Sequence, residues 1–188
     1  MPTPTIGGVG LLPDSARMAT VALKREGDAI VLIGESNGHL GQSLYLREIE
    51  GREEGSAPPV DLAQERRNGD FVRRLIEAGR LDTVHDISDG GLLIAVAEMC
   101  MAGGIGAKLD TPDGIPLLFG EDQGRYILAA PAADAKDILS EAERAGIAAE
   151  TIGTSGGAEL SVPGMEKIRI ATLKAEHETW FPSYMSSS

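Results

Sequence analysis

Apolar and polar positions alternate along this chain in short blocks whose spacing switches between the period of a strand and that of a helix. Met18 to Leu23 and Ala29 to Ile33 read as β-runs joined at Glu26-Gly27-Asp28, a spacing that suits a hairpin. A glycine-punctuated loop, Gly34 to Gly41, leads into a helix predicted from Gln42 to Ile49, and a polar, proline-containing loop spans Gly51 to Pro59. From Val60 to Ala78 the apolar residues Leu62, Phe71, Val72, Leu75 and Ile76 recur with charges between them, which predicts a long amphipathic helix closed by Gly79. Thr83 to Ile87 is a short strand. The helix expected next, from Asp89 or Gly90 to Ala102, carries Leu92, Leu93, Val96, Met99 and Cys100 on one broad face. Ile94, Ala95 and Ala97 leave little polar surface elsewhere on it, so it should be covered on most sides.

The remaining blocks predict a strand over 105–109, a short apolar segment from Ile115 to Phe119, a strand from Gly124 to Ala130 and a helix from Ala132 to Ala145. Ile147 to Ile152 and Ala158 to Val162 read as two strands of a hairpin around Thr154-Ser155-Gly156-Gly157. Ile168 to Ile170 is a further short strand, and Thr172 to Trp180 a last helix. Strands interleave with helices, yet some are hairpin-linked. The expected fold class is therefore α+β, a mixed β-sheet with helices packed on it. Residues 1–15 are rich in proline and glycine and read as a connector, 16–182 as one domain, and 183–188 as a frayed tail.

Composition narrows the class of function. The chain has 188 residues, enough for one domain with a real core, and only 4% are aromatic, so that core must be built from Leu, Ile, Val, Ala and Met. A formal charge of -12 repels a polyanion and an anionic lipid surface, which speaks against nucleic acid and membrane as partners. No apolar run reaches the roughly 20 residues of a membrane span. The start, Met1-Pro2-Thr3-Pro4, has no basic region and no signal-like core, so a cytoplasmic location is expected. The single cysteine, Cys100, cannot close an internal disulfide, and its apolar neighbours mark it as a packing residue.

The stretch His85-Asp86-Ile87-Ser88-Asp89-Gly90-Gly91 carries the most chemistry. A strand, a tight acidic turn with two glycines and a buried helix bring carboxylates and bare backbone N–H groups to one junction, where phosphates and magnesium ions bind well. Asp86 and Asp89 are the candidate magnesium ligands, with Ser88, Gly90 and Gly91 as candidate phosphate contacts. The alternative is that Ser88 or Asp89 simply caps the helix while the glycines permit the turn. Glu121 and Gln123, in Phe119-Gly120-Glu121-Asp122-Gln123-Gly124-Arg125, share a face if the backbone is extended and could together read a polar ligand; a solvated turn is the competing reading. Two segments match Gly-x-Ser-x-Gly, around Ser36 and Ser155, but neither has the strand–elbow–helix context of a serine nucleophile. His39, His85 and His177 are too scattered to read as a zinc site.

Several segments in order resemble one family. His85 to Leu92, Glu98-Met99 and Leu118 to Arg125 are preceded by Gly38-His39-Leu40-Gly41-Gln42-Ser43-Leu44-Tyr45 and Pro58-Pro59-Val60-Asp61-Leu62, and the start Pro2 to Gly10 belongs with them. The set resembles the C-terminal part of the synthetase subunit of phosphoribosylformylglycinamidine synthase and, more broadly, the C-terminal domain shared with aminoimidazole ribonucleotide synthase and selenophosphate synthetase. The resemblance implies an ATP-dependent ligase of purine biosynthesis that converts formylglycinamide ribonucleotide and glutamine-derived ammonia to the amidine, with ATP and Mg²⁺ as cofactors. It implies that this chain is a piece of a longer subunit with two related halves, inactive alone, with its catalytic residues upstream. The expected partners are those upstream domains, a glutaminase subunit and a small bridging subunit. In the first half of that subunit a Glu-Ser-Gln triplet touches substrate. Here the triplet is Glu121-Asp122-Gln123, and its middle residue differs.

Overall fold

The computed structural model describes residues 6–111 and 114–186 of the chain. Among the described residues seven strands form one sheet: β1 Ala29–Ile33, β2 Val84–Asp86, β3 Ala107–Leu109, β4 Tyr126–Ala130, β5 Ala149–Ser155, β6 Glu159–Ser161 and β7 Ile168–Arg169, in the spatial order β2-β4-β1-β5-β3-β6-β7. All named pairings are antiparallel except β3 with β6. The helices are α1 Leu62–Glu77, α2 Gly91–Gly103, α3 Ile115–Phe119, α4 Ala132–Arg144 and α5 Ile170–Ser186. No helix among the described residues is long and apolar enough to cross a membrane.

The two faces of the sheet carry separate cores, and strand alternation assigns residues to them. Ile30 and Leu32 of β1, with Ile127 and Ala129 of β4, meet Leu92, Val96, Met99 and Cys100 of α2 and Leu118 of α3. Ala29, Val31 and Ile33, with Leu128 and Ala130, meet Phe71, Val72 and Leu75 of α1 and Ala135, Ile138 and Ala142 of α4. Both faces are covered, which is why β1 is buried at every position and reads as a continuous apolar run. Cys100 is fully buried in α2, and burial pushes its thiol up to about 12, so it packs and does not react. Helix α1 begins where Asp61 accepts hydrogen bonds from the N–H groups of Ala63 (2.9 Å) and Gln64 (3.1 Å), the usual service of an aspartate before a helix.

The structure corrects several pairings. Met18 to Leu23 forms no hairpin with β1; Thr20 makes only an isolated parallel bridge to Thr83. Both edges of β1 are taken by β4 and β5, so no ladder is open to the preceding segment. Its apolar end serves elsewhere: Leu23 is buried and its N–H donates to the Met99 carbonyl at 3.1 Å. The expected β5–β6 hairpin is also absent, because β3 lies between those two strands. Gly106 leads β3 in with bare backbone, donating to Gly157 O and accepting from Gly156 N, both at 2.7 Å. A Cβ there would stand 2.3 Å from the Glu159 carbonyl oxygen.

Smaller differences are at element ends. The helix expected over Gln42 to Ile49 is a single π-helical turn, Tyr45–Ile49. The apolar segment Ile115–Phe119 is a short helix. Helix α5 starts at Ile170 and continues through Ser186, so 183–186, expected as frayed tail, are helical. Ser187 and Ser188, and residues 1–5 of the expected connector, lie outside the described residues. Residues 6–15 of that connector are irregular and exposed.

Candidate functional site

The acidic turn joins β2, at the edge of the sheet, to α2. Register with β4 sets Asp86 opposite Tyr126, and the Ile87 N–H donates to the Arg125 carbonyl at 3.0 Å. Ile87 turns inward to the core, which leaves Asp86, Ser88 and Asp89 exposed. Burial, with Glu65 and Asp86 nearby, raises the Tyr126 phenol above its ordinary pKa. His85 stands between two carboxylates, with Nε2 2.7 Å from Glu98 Oε2 and Nδ1 3.4 Å from Asp86 Oδ1.

Gly90 and Gly91 both hold left-handed backbone, at φ 81° and 75°. A Cβ on Gly91 would lie 2.7 Å from the Gly120 carbonyl oxygen and 2.7 Å from the Phe119 carbonyl carbon. The paired glycines therefore do two things: they make the bend, and they let it close against the segment before β4. Neither Ser88 nor Asp89 caps α2, contrary to the alternative the sequence offered. Gly90 occupies the cap position without a side-chain cap, and its N–H donates to Glu121 Oε1 at 2.8 Å. The Gly91 N–H donates to the Ser88 carbonyl at 3.1 Å.

Glu121 belongs to a cluster that ties three loops together. The same Oε1 accepts from the Leu44 N–H at 2.8 Å, so one carboxylate oxygen bridges the start of α2 and the 34–44 loop. Next to it, Asp122 Oδ2 accepts from three successive backbone N–H groups, Asn37 (3.1 Å), Gly38 (2.9 Å) and His39 (3.4 Å). Successive amides facing one oxygen form a small concave anion seat, here filled by the chain's own carboxylate. Arg125 is 1% exposed and underpins the cluster. Its Nε donates to Asp122 O (3.0 Å), Nη2 to Gly120 O (2.7 Å) and Nη1 to Ser36 Oγ (2.9 Å). Burial lowers the Arg125 pKa while the charge of Asp122 opposes that shift.

The structure thus brings Glu121 to the glycine pair, one residue from Asp89, and sends Gln123 away. The chain bends at Gln123 and is not extended there, so the two side chains do not share a face. Gln123 donates to the Glu121 carbonyl at 3.2 Å and lines a cavity of about 170 Å³ with Glu35, Asn37, Asp61, Gln64, Glu65 and Asp122. Sequence reasoning passed over Asp122 and Arg125 as site residues. The available signal was the motif itself: a lone arginine that opens an apolar strand must be buried with its partners. The two Gly-x-Ser-x-Gly serines have structural bonds, Ser36 to Arg125 and Ser155 to the Arg25 carbonyl at 2.7 Å.

Asp86 and Asp89 present exposed carboxylates at the turn, and Mg²⁺ is commonly held by one or two carboxylates together with phosphate oxygens. Among the described residues no group of three or more His, Cys, Asp or Glu side chains stands close enough to hold a metal ion. Of the amides at the α2 start, Gly90 is bonded to Glu121 and Gly91 to Ser88. A phosphate bonded to the Gly90 N–H would have to displace the Glu121 carboxylate.

Comparison with known proteins follows the same fold. The family described as AIR synthase related protein, C-terminal domain, matches residues 25–163. A curated relative, phosphoribosylformylglycinamidine synthase subunit PurL of Parvibaculum lavamentivorans, is 55% identical over 192 aligned residues, covering 100% of this chain and 26% of that protein. The chain spans about a quarter of the length of the curated relatives it matches. Among solved structures, Thermotoga maritima PurL complexed with FGAR superposes with a TM-score of 0.71 at 18% identity, over 85% of this chain and 30% of that one. The same protein complexed with ATP gives 0.66 at 17% identity, over 85% and 28%. Those two structures share the fold.

Proposed function

The chain belongs to the family of AIR synthase related proteins, C-terminal domain, and we propose that it serves as such a domain in a phosphoribosylformylglycinamidine synthase, an ATP-dependent ligase of purine biosynthesis. One observation carries the reading: more than half of the residues match a PurL subunit over the whole chain. On this reading the ligase works in the cytoplasm and converts formylglycinamide ribonucleotide and glutamine-derived ammonia to the amidine. The rest of the subunit, a glutaminase subunit and a small bridging subunit complete it.

Within that assembly the domain is a wall of a cleft, and its residues position rather than react. Glu121 couples the 34–44 loop to the start of α2, Asp122 holds the Asn37–His39 amides, and Arg125 anchors both from below. Holding groups in a reactive geometry is a large part of what such a ligase contributes. ATP, when bound, supplies the phosphoryl group that activates the amide oxygen. The nucleotide and Mg²⁺ are assigned to the complete ligase, because two of the amides at this turn, those of Gly90 and Gly91, are already bonded within the chain. Asp86 and Asp89 would serve as metal ligands only beside oxygens contributed from outside this chain.

The test is a chimera in which this chain replaces the matching quarter of the Parvibaculum lavamentivorans PurL subunit. The expected result is ammonia-dependent amidine formation within about tenfold of the parent, a rise of no more than about 1.4 kcal/mol in the barrier. A folded chimera with no turnover would refute the reading.

A second reading concerns the same domain: that its own turn takes no nucleotide and is purely structural. It is favoured by Glu121 and Asp122, whose carboxylates are already bonded to backbone amides. Calorimetric titration of the chimera with Mg-ATP, with and without Asp89→Ala, separates the two. Unchanged affinity is expected. A loss of about tenfold or more, the usual scale for removing a metal-site group, would show that the turn holds the metal.

A further inference from the structure

Helix α5 is anchored at one end only. Ile170 is buried and Leu173 packs against the core on the α2 face, whereas every residue from Lys174 to Ser186 is exposed. The helix has 17 residues and a length of about 25 Å; Lys174, His177 and Glu178 line a cavity with His85, Glu98 and Met101, and the residues from Thr179 onward lie beyond it. From Thr179 the helix lacks the packing that normally holds a helix in water, and this stretch also contains Pro182.

Its far end has the composition of a buried contact. The chain has seven aromatic residues, and three of them, Trp180, Phe181 and Tyr184, fall within five positions here. Trp180 is 65% exposed, Phe181 60% and Met185 58%, and the Trp180 ring stacks on Tyr184 at 5.4 Å between centroids. From Thr179 to Ser188 there is no charged residue, in a chain that is 24% charged. Aromatic residues and methionine enriched, and charge depleted, are the marks of an interface centre.

What covers this surface follows from two spans. The shared family domain ends at residue 163, before α5, while the match to the PurL subunit runs over the whole chain, α5 included. The helix is thus an addition to the common domain that the longer relatives also cover, and about three quarters of those relatives lies outside the match. A second copy is the poorer occupant, since pairing would bring together two chains of charge -12.

We propose that Trp180, Phe181 and Met185 at the far end of α5 dock into an uncharged apolar groove on another domain of the same polypeptide. The proposal rests on the reading that this chain works inside a PurL-like subunit. Docking α5 there fixes the orientation of this domain, and with it the Glu121 clamp, relative to the remainder of the ligase.

Hydrogen exchange read by mass spectrometry on the peptide spanning 174–186 tests it, in the isolated chain and in the chimera described above. Exchange about a hundredfold slower in the chimera is expected, as for a helix moved from a freely opening state to a packed one. Phe181→Asp in the chimera should return this peptide to the isolated-chain rate while protection over 25–163 is kept. Equal exchange in both proteins, with the chimera active, would overturn the docking and leave the ligase reading intact. A protected α5 in an inactive chimera would do the reverse. Protection in the isolated chain that rises with its concentration would make a second copy the occupant and would also overturn the proposal.

Discussion

Gly91→Ala is expected to destabilise the domain by about 4 kcal/mol, read as a lower urea midpoint at unchanged slope. Two costs combine. Left-handed backbone costs an alanine about 1–2 kcal/mol, and Gly91 sits at φ 75°. The new methyl would also stand 2.7 Å from Gly120 O and 2.8 Å from Phe119 Cα, atoms of a backbone that cannot rotate aside. Pushing α2 off that segment adds a further ~1–3 kcal/mol of overpacking. Gly104 provides the control. It has a similar φ of 66°, but an added Cβ meets nothing within 4 Å. Gly104→Ala should therefore show only the first cost. Equal losses at the two positions would mean that the close approach of the turn to Gly120 does not matter. The same approach lets Glu121 reach the Gly90 amide, so Gly91→Ala should also loosen the clamp.

Arg125→Met is expected to cost about 3–5 kcal/mol and to lower the melting temperature by roughly 10 °C. Methionine fills much of the volume but donates nothing. The carbonyls of Gly120 and Asp122 and the Ser36 hydroxyl lose their partner together, in a place from which water is excluded. Buried acceptors left unpaired cost about 1–3 kcal/mol each, partly relieved by relaxation. The Asp122 carboxylate, 6% exposed, loses a positive charge that interacts with it as well. Arg125→Lys should recover little, since one ammonium cannot reproduce a planar fork aimed at three acceptors. Thermal melts of the two variants decide the matter: a lysine variant as stable as the parent would show that charge alone, and not the three-way bonding, holds the cluster.

Much of the fold is legible in local patterns. The helical spacing of Phe71, Val72 and Leu75, the unbroken apolar runs of β1 and β4, and the glycines that end α2 each depend on residues a few positions apart. The bend at Gly90-Gly91 is legible for the same reason, since two adjacent glycines between a strand and an apolar run leave few other conformations. The ordered motifs from Gly38 to Arg125 carried the family resemblance, which the comparisons bear out. The partners of these pieces are a different matter. The cap of α2 comes from Glu121, 31 residues away, and displaces the local candidates Ser88 and Asp89. Gln123, two residues from Glu121, faces a different cavity because the chain bends between them.

By itself, then, the sequence determined which segments are helix or strand, which faces of them are apolar, where the tight turn lies and to which family the chain belongs. Periodicity and backbone sterics act over a few residues and are written in their order. Only the tertiary structure decided that β3 enters between β5 and β6, that Met18 to Leu23 finds no ladder, and that Glu121 and Asp122 spend their carboxylates on backbone amides. Those outcomes rest on which polar groups are left without a partner when distant segments are packed together. A buried donor or acceptor takes whatever complement the packing brings within 3 Å or so, a choice that no local spacing records.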